Sequence, residues 1–134
     1  MNDPTDRGAR FFGDVMGREQ EADLRREIAG QHEFGGETAK FSADFAFGTI
    51  WTRGGLERKC RSLVVLGILI AQRQTVELKY HVKVAIANGL TVKELEEVLY
   101  QALPYAGFPA VNSAKSAMIE ALAALEQGKE VAAS

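Results

Sequence analysis

The sequence predicts an all-α fold, and three observations support this prediction. Apolar residues recur at helical spacing from about residue 38 onward, signals that begin and end helices separate these segments, and no stretch alternates between apolar and polar residues as a strand does. The chain has 134 residues, of which 46% are hydrophobic and 25% are charged. This length and composition are typical of one globular domain, residues 1–134.

The sequence predicts an N-terminal region of short helices and loops, followed by the core helices. Residues 1–36 are polar and interrupted by glycines, so we expect one or two short helices and loops there. Core helices are predicted over residues 38–127. The first of them begins at Thr38, which can cap it, and runs to about Trp51, before the pair Gly54-Gly55.

The second and third core helices are predicted from an apolar run and from residues that can begin and end a helix. Residues 56–72 become apolar nearly all round after two turns, so we expect this helix to be central and buried. Thr75 can cap the third helix, which ends at Asn88. Gly89 then takes the left-handed position past the last turn.

The fourth and fifth core helices have clear starting signals. Thr91 followed by Glu94 matches a capping box, and this helix is predicted to reach about Tyr105. Pro109 suits the first position of the fifth helix, which is predicted to end at Gly128. We expect the last six residues to be frayed.

Composition excludes several classes of protein. The longest apolar run, residues 63–71, is far shorter than the roughly 20 residues that cross a bilayer. The net charge of −2 gives no polybasic surface for nucleic acid. The first residues are polar, so no secretory signal is predicted and a cytoplasmic location follows. With Cys60 as the single cysteine, no intramolecular disulfide or cysteine-rich metal cluster can form.

Glu77 and His81 lie one turn apart on the predicted third helix. At 100° per residue, His81 lies about 40° and Asn88 about 20° from Glu77, whereas Lys79 and Lys83 point the other way. The flanking positions are apolar. The three polar side chains therefore share a stripe on a largely apolar face.

This glutamate–histidine pair has a catalytic interpretation and a structural one. Glu77 can hydrogen-bond His81, fix its tautomer and raise its pKa, which gives an acid/base group that works near neutral pH. The alternative is a solvated pair, or a core histidine whose partner is this glutamate. No metal is predicted, because His32 is the only other histidine and is remote in sequence.

Arg58 and Arg61 lie one turn apart at the start of the second helix. Two such arginines suit bidentate capture of a carboxylate, and the helix N-terminus adds positive potential. The alternative is that they cover a helix end or pair with Glu57 and other surface acids. The sequence does not distinguish these roles.

Further candidates are single residues, each with two interpretations. Cys60 can be a thiol of lowered pKa or a small, partly buried residue. Trp51, Tyr105 and Phe108 can line an apolar pocket, or belong to the core or to subunit contacts. Asn112 can bond into a site or satisfy local backbone groups.

Four blocks of the sequence resemble successive blocks of the carboxymuconolactone decarboxylase family, in the same order and at the same spacing. They are ERKCRSL from residue 57, ELKYH from residue 77, NGLT from residue 88 and YAGFPA from residue 105. The resemblance covers about residues 38–126. It implies a compact AhpD-like bundle of about five to seven helices.

The wider superfamily also contains alkylhydroperoxidase-type enzymes, in which a Cys-x-x-Cys motif precedes the histidine on the same helix. Here Gln74 and Glu77 occupy the two matching positions. Without a cysteine pair, a disulfide cycle lacks its second thiol. Glutamate at the second position favours acid/base chemistry instead.

The resemblance implies decarboxylation of 4-carboxymuconolactone to the enol-lactone of 3-oxoadipate, within aromatic catabolism through the β-ketoadipate pathway. Losing CO2 leaves a dienolate delocalised onto the lactone oxygen, so no cofactor is needed as an electron sink. It further implies that His81 donates the proton, that Glu77 positions and recharges it, and that Arg58, Arg61 or both orient a substrate carboxylate. The remaining substrate-binding candidates are Trp51, Tyr105 and Asn112.

The resemblance also implies assembly as a ring-like homo-oligomer through helical hairpins, as a hexamer or a trimer. Cys60 stands where the family commonly has a small or hydroxyl residue, and Ala87-Asn88 and Phe108 are variable choices in the family, which leaves a related lactone or a polyketide-derived ring open as substrate. Two other functions remain open. One is a thiol peroxidase-like protein using Cys60, and the other is a non-catalytic member that binds a small carboxylate.

Overall fold

The computed structural model describes residues 3–30 and 32–133, with the backbone alone for residues 130–133. No strand occurs in these residues, so the all-α prediction is confirmed. The elements are α1 (Pro4–Met16), α2 (Arg18–Ala29), α3 (Thr38–Phe41), a π-helix (Ser42–Trp51), α4 (Arg58–Ala71), α5 (Thr75–Ala87), α6 (Val92–Ala106) and α7 (Phe108–Ala133). None of these helices is both long and apolar enough to cross a bilayer.

The chain divides into two compact units, unit 1 (Met1–Glu57) and unit 2 (Arg58–Ser134). The division follows Gly55, whose φ of 96° is one that L side chains rarely adopt. It lies well past residue 36, where the sequence predicted the N-terminal region to end. The prediction of one domain over residues 1–134 stays a prediction.

Unit 1 is built on a close contact between α1 and the π-helix. A Cβ at Gly8 would overlap the backbone of Ala43, and a Cβ at Gly48 would overlap that of Pro4. The Arg7 Nε donates to the carbonyl oxygen of Gly48 at 3.1 Å. The two backbones can approach this closely because glycine has no side chain.

The helix predicted from Thr38 to Trp51 is present, but it differs in two ways. Thr38 is its first residue rather than its cap, and the Thr38 hydroxyl donates to the carbonyl oxygen of Gly35 at 2.9 Å. From Ser42 the segment is π-helical, with a wider turn than an α-helix. Side-chain spacing alone does not reveal this change.

In unit 2, α4 and α5 form an antiparallel hairpin joined by residues 72–74, and α4 also packs against α6 and α7. α7 packs against both α5 and α6. The shared core contains Leu66, Ile70, Leu78 and Val82, each at most 1% exposed. These residues lie on the side of the hairpin that packs against α6 and α7.

α4 is less buried than the sequence predicted. Along the part that is apolar nearly all round, Leu66 and Ile70 are buried on one stripe, whereas Val64 is 56% and Ile68 50% exposed. The prediction of a central, buried helix is therefore wrong for this outward face. The apolar run includes residues on two faces of α4. The other helices of unit 2 bury one of these faces and leave the other exposed.

Two predicted helix signals in unit 2 are confirmed and one is wrong. Both bonds of the capping box between Thr91 and Glu94 form at 3.0 Å. Gly89 has a φ of 103° past the end of α5. Thr75, however, is the first residue of α5, and Gln74 precedes it without a side-chain cap.

α7 departs from its predicted bounds at both ends. It begins at Phe108, one residue before Pro109, and continues through Gly128 to Ala133. A helix tolerates one interior glycine at a cost of roughly 1 kcal/mol. The predicted fraying is thus wrong for residues 129–133, and Ser134 lies outside the described residues.

Replacing Gly8 by alanine is expected to lower the free energy of unfolding by about 1–3 kcal/mol, because the new methyl group overlaps Ala43. Gly128 offers a matched control in α7, since nothing lies within 4 Å of a Cβ built there. Its replacement by alanine should stabilise by roughly 0.5–1 kcal/mol. Urea denaturation followed by circular dichroism measures both changes. A Gly8→Ala protein as stable as wild type would contradict the close contact.

Candidate functional site

Glu77 and His81 lie on α5, one turn and about 6 Å apart along the helix axis. α5 is held in place by Leu78, Val82 and Ala85, which are buried in the core of unit 2. His81 is half-buried and Glu77 is exposed. The pair therefore lies at the edge of the apolar face of α5, with His81 partly covered by neighbouring side chains and Glu77 in contact with solvent.

The environment of His81 favours the neutral imidazole. Burial lowers the pKa of His81 from its ordinary value, and the charge of Glu77 raises that pKa by less. The prediction that the pair raises the pKa is therefore wrong in its net direction, although Glu77 acts with the expected sign. Periodicity predicted the charge next to His81, but it did not predict how much water the fold removes from the ring.

A partly buried hydrogen bond joins the start of α4 to the end of α5. The Asn88 Nδ2 donates to the Ser62 Oγ at 3.0 Å. Ser62 is only 1% exposed and stands on the same buried stripe as Leu66 and Ile70. Sequence reasoning placed Asn88 on the stripe with His81, but it missed Ser62. The available signal was a polar residue at helical spacing within an apolar stripe.

Arg58 and Arg61 lie at the start of α4, at the same end of the hairpin as Asn88. Arg58 is exposed and Arg61 is half-buried. His81 precedes Asn88 by seven residues, which is about 10 Å along α5. The structure therefore places the two arginines at the end of the hairpin away from residues 72–74, His81 at the middle of α5 and Glu77 in its first turn.

Tyr105 lines an apolar groove between α4 and α6 with a volume of about 570 Å³. Leu63, Gly67 and Val98 contribute to its apolar walls. Tyr105 itself is 87% exposed. His81 is not among the groove residues, so this groove does not bring Tyr105 to the acid/base pair.

The other predicted residues are dispersed. Trp51 is buried in unit 1, where its ring stacks on that of Phe11 with centroids 5.4 Å apart. This position agrees with the interpretation of Trp51 as a core residue. Asn112 and Phe108 are exposed near the start of α7. Cys60 is a half-buried free cysteine on α4. Roles of Trp51 and Asn112 in substrate binding stay predictions.

The hairpin offers two kinds of chemistry at separate places. The first half of α5 carries the glutamate–histidine pair, and the end of the hairpin away from residues 72–74 carries cations at the N-terminus of α4, which attracts anions. Among the described residues, no group of three histidine, cysteine or acidic side chains is placed to hold a metal ion. The arrangement suits an anionic substrate that receives or releases a proton about 10 Å from the cationic end.

We expect the His81 ring to titrate below pH 6.5, because its burial outweighs the charge of Glu77. In Glu77→Gln it should titrate lower still, since the raising charge is gone. Proton NMR of the ring resonances measures both values, and a His32→Gln variant assigns the signal. A higher pKa in Glu77→Gln than in wild type would contradict the interaction.

Comparison with known proteins identifies the family of this chain. Residues 36–120 match the model of the carboxymuconolactone decarboxylase family. The chain is 35% identical over 107 residues to a 4-carboxymuconolactone decarboxylase of Acinetobacter baylyi, which covers 80% of this chain and 78% of that protein. It is 37% identical over 104 residues to a nitrosuccinic acid decarboxylase of Metarhizium robertsii, covering 78% and 71% respectively.

The family match covers most of unit 2 and extends into unit 1. It includes both arginines, the partly buried Ser62–Asn88 pair and the glutamate–histidine pair. Both named decarboxylases align over more than two thirds of their own length. The resemblance found in the sequence is therefore confirmed, and the chain is a carboxy-lyase of the carboxymuconolactone decarboxylase family.

Proposed function

We propose that this protein decarboxylates 2-substituted succinates whose C2 carries an electron-accepting group, with 4-carboxymuconolactone as the first candidate. The observation that carries the proposal is the hairpin with the glutamate–histidine pair in the first half of α5 and two arginines at the start of α4, about 10 Å along the axis from His81. The names of the two relatives support the substrate class. In both 4-carboxymuconolactone and nitrosuccinic acid, one carbon bears a carboxylate and a carboxymethyl group.

The third substituent on that carbon differs between the two compounds, but its chemical role is the same. In the lactone it is the ring system, and in nitrosuccinic acid it is the nitro group. When the bond to the carboxylate breaks and CO2 leaves, the electron pair enters a dienolate or a nitronate. A proton then forms the new C–H bond. The step needs no external oxidant or reductant.

His81 is proposed to donate this proton. Its lowered pKa makes the imidazolium a stronger acid than an ordinary histidine, so proton transfer to carbon is favoured once the ring is protonated. A dianionic substrate beside the ring raises the pKa while it is bound, because negative charge favours the imidazolium. Glu77 positions the ring and passes it the next proton.

Arg58 and Arg61 are proposed to hold the carboxymethyl carboxylate, which remains in the product. A cation on the leaving carboxylate would stabilise the substrate more than the transition state, in which that charge moves away. The distance along the hairpin supports the same assignment. The arginines lie at the end away from His81, where the retained carboxylate can bind without contacting the reacting carbon.

The protein is also proposed to work as a homo-oligomer, either a hexamer or a trimer, in aromatic catabolism. Val64 and Ile68 on α4 and Val76 and Tyr80 on α5 are each at least half exposed. Apolar side chains on the outward face of a helical hairpin favour association between copies.

CO2 release from 4-carboxymuconolactone and from nitrosuccinate by the purified protein tests the reaction. Wild type should turn over at least one of them, and His81→Gln should lose about 10²-fold or more of kcat, since general acid catalysis contributes that much. In wild type, kcat/KM should fall as pH rises through the pKa of free His81, below about 6.5. Near-wild-type turnover by His81→Gln would remove histidine from the reaction.

Arg61→Ala is expected to raise KM about tenfold or more with a smaller change in kcat, because an ionic hydrogen bond to the retained carboxylate is lost. Arg26→Ala is the matched control, since Arg26 is exposed on α2. If Arg61→Ala lowers the thermal midpoint but leaves KM unchanged, the arginine is structural. Arg58→Ala distinguishes which arginine carries most of the binding.

A further inference from the structure

We propose that Asn88 is a further substrate-binding residue that donates an amide N–H to the retained carboxylate, and that Ser62 is its positioning residue. This inference rests on the proposed function, because it assigns a second group to the carboxylate that stays in the product. Two observations carry it. They are the partly buried bond between the two side chains and the place of Asn88 on the helix.

The bond to Ser62 holds the Asn88 amide in one orientation. A hydroxyl that is 1% exposed among apolar side chains is costly unless it is hydrogen-bonded. Here the Ser62 Oγ accepts from the Asn88 Nδ2 at 3.0 Å. An asparagine amide has two N–H groups and one carbonyl oxygen, and this bond takes one N–H. The bond therefore restricts the orientation of the amide and leaves its second N–H as a donor.

Asn88 also lies on the side of α5 that carries the acid/base pair. It is only about 20° around the helix from Glu77, and it is half-buried at the C-terminal cap of α5. About 10 Å along the axis separates it from His81. A 2-substituted succinate several ångströms long, with a contact of about 3 Å at each end, spans a separation of this order.

The charges around Asn88 make this end of the hairpin suitable for an anion. The C-terminus of α5 alone would repel a carboxylate. The Ser62–Asn88 bond, however, places the N-terminus of α4 and its arginines beside it, and α6 begins only four residues after Asn88. Glu94 in the first turn of α6 is paired with Lys59 at 3.0 Å, so the two arginines and the helix N-termini favour an anion here, and the neutral amide adds a directional donor without another charge.

The test is steady-state kinetics of Asn88→Ala, Asn88→Asp and Ser62→Ala on whichever of 4-carboxymuconolactone and nitrosuccinate wild type turns over. Asn88→Ala should raise KM about tenfold, because a hydrogen bond to a charged group is lost. Asn88→Asp should raise KM further, since two carboxylates then face each other. Ser62→Ala should raise it less than Asn88→Ala, and kcat should stay within about threefold in all three.

A matched substrate separates binding from a general loss of structure. Converting the carboxymethyl carboxylate of the substrate to its methyl ester should weaken its binding to wild type. The same conversion should weaken binding to Asn88→Ala much less. Leu99→Ala on α6 is the stability control, since it removes a core side chain without a polar contact. At a temperature where it remains folded, its KM for both compounds should match that of wild type.

The outcomes are distinguishable. If wild type releases no CO2 from either compound and calorimetry detects no binding of 2-methylsuccinate, the proposed function fails and this inference fails with it. If wild type is active but Asn88→Asp keeps its KM, or the ester penalty is the same with and without Asn88, this inference alone is wrong. A loss confined to thermal stability would return Ser62 and Asn88 to a purely structural role.

Discussion

The antiparallel pairing of α4 with α5 is the constraint on which the candidate site depends. Buried apolar side chains such as Leu66 and Leu78 hold the hairpin against α6 and α7, and the Ser62–Asn88 hydrogen bond holds its far end. Because the Ser62 end of that bond is buried, the bond is less exposed to competition from water. Together with the core contacts, it aligns the start of α4 with the end of α5. The distance between the cationic end and the acid/base pair follows directly from this alignment.

The local parts of this structure were predictable, and the parts set by packing were not. The Thr91 capping box and Gly89 depend on residues within one turn, so sequence spacing identifies them. Thr75 was misassigned because many serine and threonine positions satisfy the same local pattern. The outward face of α4 was misassigned because an apolar side chain does not indicate what covers it.

The same distinction applies to the candidate site. Helical periodicity placed Glu77, His81 and Asn88 on one stripe, and the structure has the first two on α5 and Asn88 at its C-terminal cap. It predicted the wrong net direction for the pKa of His81, because desolvation depends on neighbours brought in by folding. Ser62 was missed because its importance depends on a partner 26 residues away in the chain. A single sequence does not show which distant residues will be in contact.

The α5 spacing between His81 and Asn88 limits how this site can change by insertion or deletion. One added residue would lengthen the gap by about 1.5 Å and turn one of the two side chains by about 100°, off the shared stripe. Only changes of three or four residues, about one turn, keep both groups on the same side. With the roles proposed for His81 and Asn88, substrates of different length are expected to need whole-turn changes in α5, or substitutions at its ends, rather than gradual growth of the helix.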